Sequence, residues 1–396
     1  MSQFRDMIWK VGACFGARII LMLALASFIL TARANPNVVA WGAGTVDNPS
    51  SVNDRGQSIV PVNLTNAVEV ASGWWQSVAV KADGTLQGWG DDSLGELDFP
   101  AGSNYVAIAC GDQHSLALKT DGTVVVAASS PTYGEGDIPV NLSNVVAVAS
   151  GYYHCLALKS DGTVAAWGGL GAVDYGQGTV PNGLSNVVAI AAGGYHNLVL
   201  KSDGTLFAWG DNEDGETTIP PGLGNVVAVA AGAYFSLALR ANGTVAAWGY
   251  NSSGQTQVPA GLSNVVAVVA KENHSLALQA NGSVVGWGLD TEGDTMVPAH
   301  LTNVQQIAVG DVNSLVLIGT GLPVTRALSV QPNFSTNGFN FRLHTQNGRV
   351  YQPEFNNVVS GGGWQTLPLV AGTGVAHWFN DPAPTITQRY YRVLRW

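Results

Sequence analysis

Seven prolines, Pro61, Pro100, Pro139, Pro181, Pro220, Pro259 and Pro298, fall 39, 39, 42, 39, 39 and 39 residues apart. Spacing so even marks one supersecondary unit copied along the chain, each copy too small to bury its apolar face without neighbours. A well-preserved copy runs Asn225-Val-Val-Ala-Val-Ala-Ala-Gly232, then Ser236-Leu-Ala-Leu-Arg240, Asn242-Gly243 and Thr244-Val-Ala-Ala-Trp248-Gly249. A polar loop ending Gln257-Val258-Pro259 completes it.

Each copy offers three strand signals. The first is apolar throughout and built of small residues, and the second alternates with period two. Between the second and third stand Asp83-Gly84, Asp121-Gly122, Asp161-Gly162, Asp203-Gly204, Asn242-Gly243 and Asn281-Gly282. Such pairs are strong hairpin signals because both residues tolerate positive φ. The proline ends the unit on an edge where no donor is needed, leaving room for a short fourth strand before it. A sheet this narrow cannot cover both faces, and radial stacking around an axis solves the problem, which predicts a β-propeller. The small first strand suits the crowded axis. The third, with Trp41, Trp89, Trp167, Trp209, Trp248 and Trp287, suits the wider gap between blades, and Ala127 replaces the tryptophan in the second blade.

The ends of the repeat region supply closure. Asn37-Val-Val-Ala-Trp41-Gly42 is a third strand without its first two, whereas residues 302–318 hold the first two strands without a third. Together they make one composite blade and close a ring of seven, removing an exposed edge. The expected fold is therefore all-β, a seven-bladed propeller over residues 35–321 followed by a small β-sandwich-like module over residues 322–396. In that module, strands are expected at Ala327–Val330, Gly338–Leu343, Trp364–Leu369, Val375–Phe379 and Arg389–Leu394.

Charge and the termini narrow the function classes. Residues 35–321 carry seven Lys/Arg against 24 Asp/Glu, a net of −17, and a body this acidic repels phosphate backbones. Neither nucleic acid nor nucleotide is an expected partner. Six arginines in residues 322–396 could dock on that acidic body, attach to an envelope component or stay solvated. At the N-terminus, Arg5, Lys10 and Arg18 precede the apolar run Ile19–Leu30 and the small residues of Ala32-Arg33-Ala34. This reads as a signal peptide over residues 1–34, cleaved before Asn35, with an uncleaved anchor as the alternative. The protein is thus expected to be secreted, periplasmic or associated with the cell envelope. Cys110 and Cys155 fall in slots that hold small residues in other copies. They read as buried thiols, with a disulfide between repeats the alternative in an oxidising compartment.

The pattern Gly-x-x-His-Ser-Leu-Ala-Leu-Lys-x-Asp-Gly-Thr-Val-x-x-Trp-Gly resembles the regulator of chromosome condensation repeats, which form seven-bladed propellers. The short copies, the loop-plus-Val-Pro spacing and the opening Val-Val-Ala-Trp-Gly are most similar to the secreted propeller-type β-lactamase inhibitors. The resemblance spans residues 37–321. It implies the fold and, by analogy with the inhibitors, engagement of a protein partner by one propeller face. Family members include exchange factors, ligase subunits and inhibitors, so fold alone does not choose among them. No insertion that could serve as an exchange factor's wedge is present in these short loops.

Strand order assigns the first turns and outer loops to one face, top, and the Asp-Gly turns to the other. The top first turns hold Trp74, Trp75, Tyr152, Tyr153, Tyr195, Tyr234 and Phe235, and these are the candidate partner-binding residues. The same face carries Asp91-Asp92, Asp211 to Asp214, Asp290 and Glu292. Rigid aromatics give large contact area at low entropic cost; packing against a neighbouring blade is the alternative role for each. His114, His154, His196 and His274 share one repeat position, filled elsewhere by Gln76, Phe235 and Asn313. Blades hold equivalent atoms far apart, so a structural role, the imidazole bonding backbone in an adjacent turn, is expected over a metal site. Residues 211–216 lack the length and spacing of a calcium loop. No catalytic constellation or cofactor motif occurs. The expectation is a non-enzymatic, monomeric binding protein without cofactor or metal that recognises a protein partner; an envelope-attached module that binds glycan is the alternative.

Overall fold

The computed structural model describes residues 37–44, 53–128, 132–319, 332–335, 338–344, 349–356, 365–372, 376–381 and 390–395. The signal peptide expected over residues 1–34 and the strand expected at Ala327–Val330 lie outside them. Seven three-stranded antiparallel sheets make the propeller. Blade one is Ala67–Ser72, Gln76–Lys81 and Leu86–Gly90, and blade two is Tyr105–Cys110, Ser115–Lys119 and Val124–Ala127. Blades three and four are Val145–Ser150, His154–Lys159, Val164–Gly168 and Val187–Ala192, His196–Lys201, Leu206–Gly210. Blades five and six are Val226–Ala231, Phe235–Arg240, Val245–Gly249 and Val265–Lys271, His274–Gln279, Val284–Gly288. Blade seven is composite: Val304–Val309 and Asn313–Ile318 are completed by Val38–Gly42, with Val39 opposite Val316 and Trp41 opposite Ser314. It packs on both blade six and blade one, which closes the ring.

Local chemistry explains the repeat motif. In each Asp-Gly-Thr turn the Asp or Asn oxygen accepts from the backbone two residues on, as in Thr85 N to Asp83 Oδ1 at 3.0 Å, with Gly84 at φ +76°. The Asn that opens most copies adopts positive φ, 55° at Asn225, and its carbonyl accepts the Ala241 amide at 2.9 Å. Asn is among the few side chains that tolerate this conformation. The residue pairing then shifts by one at the start of the first strand, as between Val226 and Ala228.

Blades are joined by a shared acceptor. Except before blade two, which lacks the tryptophan, the residue four before each proline gives its carbonyl to the next blade's tryptophan, and in most blades also to a residue of that blade's second strand. Glu216 O thus accepts from Trp248 Nε1 at 2.8 Å and Ser236 Oγ at 2.9 Å. Gln177 O likewise takes Trp209 Nε1 at 3.2 Å and Asn197 Nδ2 at 2.9 Å. Each indole packs on the preceding blade, Trp209 beside Val146, Leu156 and Leu158. The stretch before each proline is irregular among the described residues; the fourth strand is replaced by this acceptor loop, whose backbone faces indole and hydroxyl donors and not a ladder.

First strands line the axis, enclosing a cavity of about 510 Å³ toward the bottom face. That cavity is finished by Arg349, Val350, Ala371 and Gly372 of the C-terminal module. The module docks there: the Leu369 amide donates to Ser202 O at 2.9 Å, and Val350 and Leu369 join the core of blades four to six. Glu69, on the channel wall, is pushed up to about 7 by burial, opposed by the Arg349 charge. One of the six arginines therefore serves the docking contact. Among the described residues the module forms two antiparallel sheets: Pro332–Ser335, Gly338–His344 and Ala376–Asp381, and Val350–Asn356 with Gln365–Thr366, Val370–Ala371 and Tyr390–Arg395. The strand at Val350–Asn356 was not expected, because Pro353 in its middle argues against a strand by rule; Pro353 pairs here with Val393.

Candidate functional site: the aromatic and acidic mouth of the channel

At four of the seven blade junctions around the top rim, the first turn donates to the neighbouring first turn. Tyr152 N reaches Gly194 O at 3.3 Å, Gly194 N reaches Ala233 O at 3.1 Å, Ala233 N reaches Glu272 O at 2.8 Å, and Asp311 N reaches Gly73 O at 3.1 Å. The approach needs glycine just before the turn: a Cβ on Gly193 would lie 2.6 Å from Gly232 O. Loops on this rim are thereby held at fixed distances, which pre-organises whatever they carry.

What they carry is an arc of tyrosines. Tyr153 lies 4.7 Å from Tyr133 and 6.3 Å from Tyr195 between ring centroids. Tyr195 lies 5.3 Å from Tyr152, 5.2 Å from Tyr175 and 6.1 Å from Tyr234, and Tyr234 lies 6.3 Å from Tyr250. Trp74 and Trp75 stack at 4.0 Å on blade one, where Arg55 covers the Trp75 ring at 5.1 Å. Tyr153, Tyr195 and Tyr234 are half-buried, while Tyr175 and Tyr250 are exposed. Burial and neighbouring carboxylates push the Tyr153 hydroxyl up to about 12 and raise Tyr195 and Tyr234 too, so the rim presents protonated donors at neutral pH.

Two candidate residues are corrected. Phe235 is wholly buried, since it occupies the slot that holds histidine in other blades and points between blades, not into solvent. Tyr152 is also buried; its hydroxyl crosses the channel to donate to Glu272. The structure brings Tyr153, Tyr195 and Tyr234 together and adds Tyr133, Tyr175 and Tyr250 from the outer loops. Sequence reading missed these three because the outer loops are the least regular part of the repeat; Tyr133 and Tyr175 each stand two residues before the acceptor residue, whereas Tyr250 directly follows the third strand.

The histidines bridge blades through side chains one blade on, and His196 and His274 also bond backbone there, at Ala233 and Asn313, as expected. His196 Nε2 lies 3.0 Å from Ser236 Oγ and His154 Nε2 lies 2.8 Å from Asn197 Oδ1, in each case one blade on. His114 Nε2 lies 2.6 Å from Ser150 Oγ and 3.3 Å from Cys155 Sγ. Burial holds all four imidazoles well below their usual range, hence neutral. Cys110 and Cys155 are buried free thiols. Among the described residues, no group of three or more His, Cys, Asp or Glu is placed to hold a metal ion.

Inside the arc, the mouth is acidic. Asp112, Glu272 and Asp311 gather around Lys271, whose Nζ donates to Cys110 O at 3.0 Å and lies 3.6 Å from Asp311 and 3.9 Å from Asp112. Burial, reinforced by the Asp311 charge, pushes Asp112 well up, and burial brings Asp311 to about 7 against the pull of Lys271. With Trp74, Tyr152, Tyr153 and Tyr195 the three carboxyls Asp112, Glu272 and Asp311 line a pocket of about 310 Å³.

The closed seven-bladed propeller thus carries a tyrosine-lined, acidic rim at one mouth of its channel. Five segments, residues 105–134, 145–177, 187–216, 226–255 and 265–294, match the regulator of chromosome condensation (RCC1) repeat. The fold is that of Prp20p from Saccharomyces cerevisiae, a protein described for its binding to Gsp1p and histones. That match has 20% identity and a TM-score of 0.57, covering 70% of this chain and 90% of that one. Human WBSCR16 is similar at 20% identity and a TM-score of 0.55, covering 72% of this chain and 100% of that one. No curated protein sequence matches the chain. At these identities the likeness carries the fold alone. The likeness to propeller-type β-lactamase inhibitors rests only on repeat length, loop spacing and the opening Val38-Val-Ala-Trp41-Gly42.

Proposed function

We propose that this protein is an exported, non-enzymatic binding protein that recognises a protein partner through the tyrosine-rich top face of its propeller. The observation that carries the reading is the unbroken tyrosine arc held on a rigid rim. Tyrosine gives large amphipathic contact area with only two rotatable bonds, and such residues dominate binding hot spots. Prp20p, on the same fold, is described for binding proteins, which supports the partner class. Export is supported by the basic, apolar and small-residue order of residues 1–34.

The test is capture from the envelope and medium of a producing cell, comparing wild type with Tyr153→Ala/Tyr195→Ala/Tyr234→Ala. These rings lie outside the blade cores, so the variant should keep its circular dichroism and unfolding midpoint while losing the partner. Undiminished capture contradicts the reading. Binding to a polysaccharide array without any protein partner would transfer it to the glycan alternative.

A further inference from the structure

The channel mouth contains an anomaly of sequence. The residue that ends the first strand and enters the top turn is glycine in six blades, Gly73, Gly111, Gly151, Gly193, Gly232 and Gly310, and lysine in the remaining one, Lys271. Glycine is enforced elsewhere because a Cβ meets the next blade's backbone, at 2.6 Å from Gly151 O for Gly111 and 2.5 Å from Gly73 O for Gly310. Blade six accommodates the larger residue by lengthening its first strand to Val265–Lys271, pairing Lys271 with His274 and placing Glu272 at φ +44°. The outcome is a cation delivered into a ring of acids.

That cation does not satisfy the ring. Lys271 makes its one short bond to a backbone carbonyl and stands beyond hydrogen-bond distance of both aspartates. Asp112 Oδ1 and Asp311 Oδ1 are buried oxygens without a hydrogen bond, each met by Lys271 only in a long ion pair, at 3.9 and 3.6 Å, on residues 6% exposed. Three carboxyls, Asp112, Glu272 and Asp311, face one ammonium, with Asp294 and His274 on the same wall. Four aromatic rings complete the walls, Trp74, Tyr152, Tyr153 and Tyr195, and ring faces attract cations. The space of about 310 Å³ equals about ten waters at roughly 30 Å³ each, room for one extended basic side chain.

We propose that this pocket receives a lysine or arginine side chain of the partner, inserted along the channel axis between the tyrosine rings and the two aspartates, whose Oδ1 atoms accept no hydrogen bond. This rests on the top-face reading above and names the chemistry that the partner must present. The acidic body, at −17 over residues 35–321, steers such a partner toward the face, and the aromatic walls desolvate the cation as it enters.

The experiment is calorimetric titration of the full chain with capped Gly-Lys-Gly, Gly-Arg-Gly and Gly-norleucine-Gly peptides at low salt. The lysine and arginine peptides should bind, weakening as salt rises, with the norleucine peptide at least about tenfold weaker. Asp112→Asn/Asp311→Asn should reduce lysine-peptide affinity by about tenfold or more. Lys271→Gly restores the residue used in the six other blades and removes the resident cation. It should tighten binding by about tenfold, and it decides the matter even if the double-Asn variant fails to fold. Equal binding of the norleucine peptide, no binding by any peptide, or weaker binding by Lys271→Gly overturns the proposal. The two readings fail separately: partner capture lost in the triple-tyrosine variant but kept in the double-Asn variant sinks only the basic-side-chain pocket.

Discussion

Replacing Trp248 tests how the blades are held together. The indole is 8% exposed, packs among Leu198, Leu200 and Leu237, and donates to Glu216 O at 2.8 Å. Burying about 200 Å² at ~25 cal/mol/Å² contributes ~5 kcal/mol as an upper bound, so Trp248→Ala should cost on the order of 3–5 kcal/mol once partial relaxation is allowed. Trp248→Phe keeps most of the apolar area and loses the N–H donor. Because Ser236 Oγ still donates to the same carbonyl, its cost should be only about 1–2 kcal/mol. Urea unfolding followed by fluorescence reads both. With a slope of roughly 3 kcal/mol/M, the alanine variant's midpoint should fall by about 1 M and the phenylalanine variant's by less than half of that. Equal midpoints for the two variants, or a loss below about 1 kcal/mol for alanine, would refute the claim that the indole wedge joins adjacent blades.

Three further outcomes follow from the same geometry. Blade two has Ala127 at the tryptophan position and a third strand of only four residues, so its amides should exchange faster than those around Trp209 in native-state hydrogen exchange; equal protection contradicts this. His154 is held at about 4 by burial, against about 6.5 when unfolded, so acid protonates the unfolded chain first and native stability drops as pH falls below 6.5. His154→Gln lacks this term, and its stability deficit relative to wild type should shrink by about 2–3 kcal/mol between pH 7 and 4.5 in denaturant titrations, a constant deficit arguing against a neutral buried imidazole. Gly193→Ala should cost about 1–3 kcal/mol, as its methyl meets Gly232 O, whereas Gly224→Ala, with open space around it, should stay within about 0.5 kcal/mol; thermal melts compare the two.

Much of the fold was legible because repetition multiplies weak local signals. Asp-Gly turns, small first strands and the Val38–Trp41 half-blade each say little alone, yet seven concordant copies leave few alternatives to a ring. The acceptor loop was legible too, though overlooked: Gln57, Glu96, Glu135, Gln177, Glu216, Gln255 and Asp294 all stand four residues before a proline. The site was harder to see. Phe235 and Tyr234 are adjacent aromatics, but one lies on the strand and faces the neighbouring blade while the other lies on the turn, and a single residue of register separates them. Lys271 shows itself only when the copies are aligned on the glycine slot. Its meeting with Asp112 and Asp311 spans the channel and follows from ring closure, not from any local pattern. Docking of the C-terminal module depends on Leu369 and Val350 meeting blades far away in sequence, which no periodicity encodes.

Ring closure fixes where every top-face residue stands, and amide exchange in residues 38–42 reports on it directly. If Val38–Gly42 completes blade seven by pairing with Asn313–Ile318, its ladder amides will exchange as slowly as those of His196–Lys201. Rapid exchange there, with Asn313–Ile318 equally unprotected along that edge, would show an open assembly and remove the basis for a single binding face.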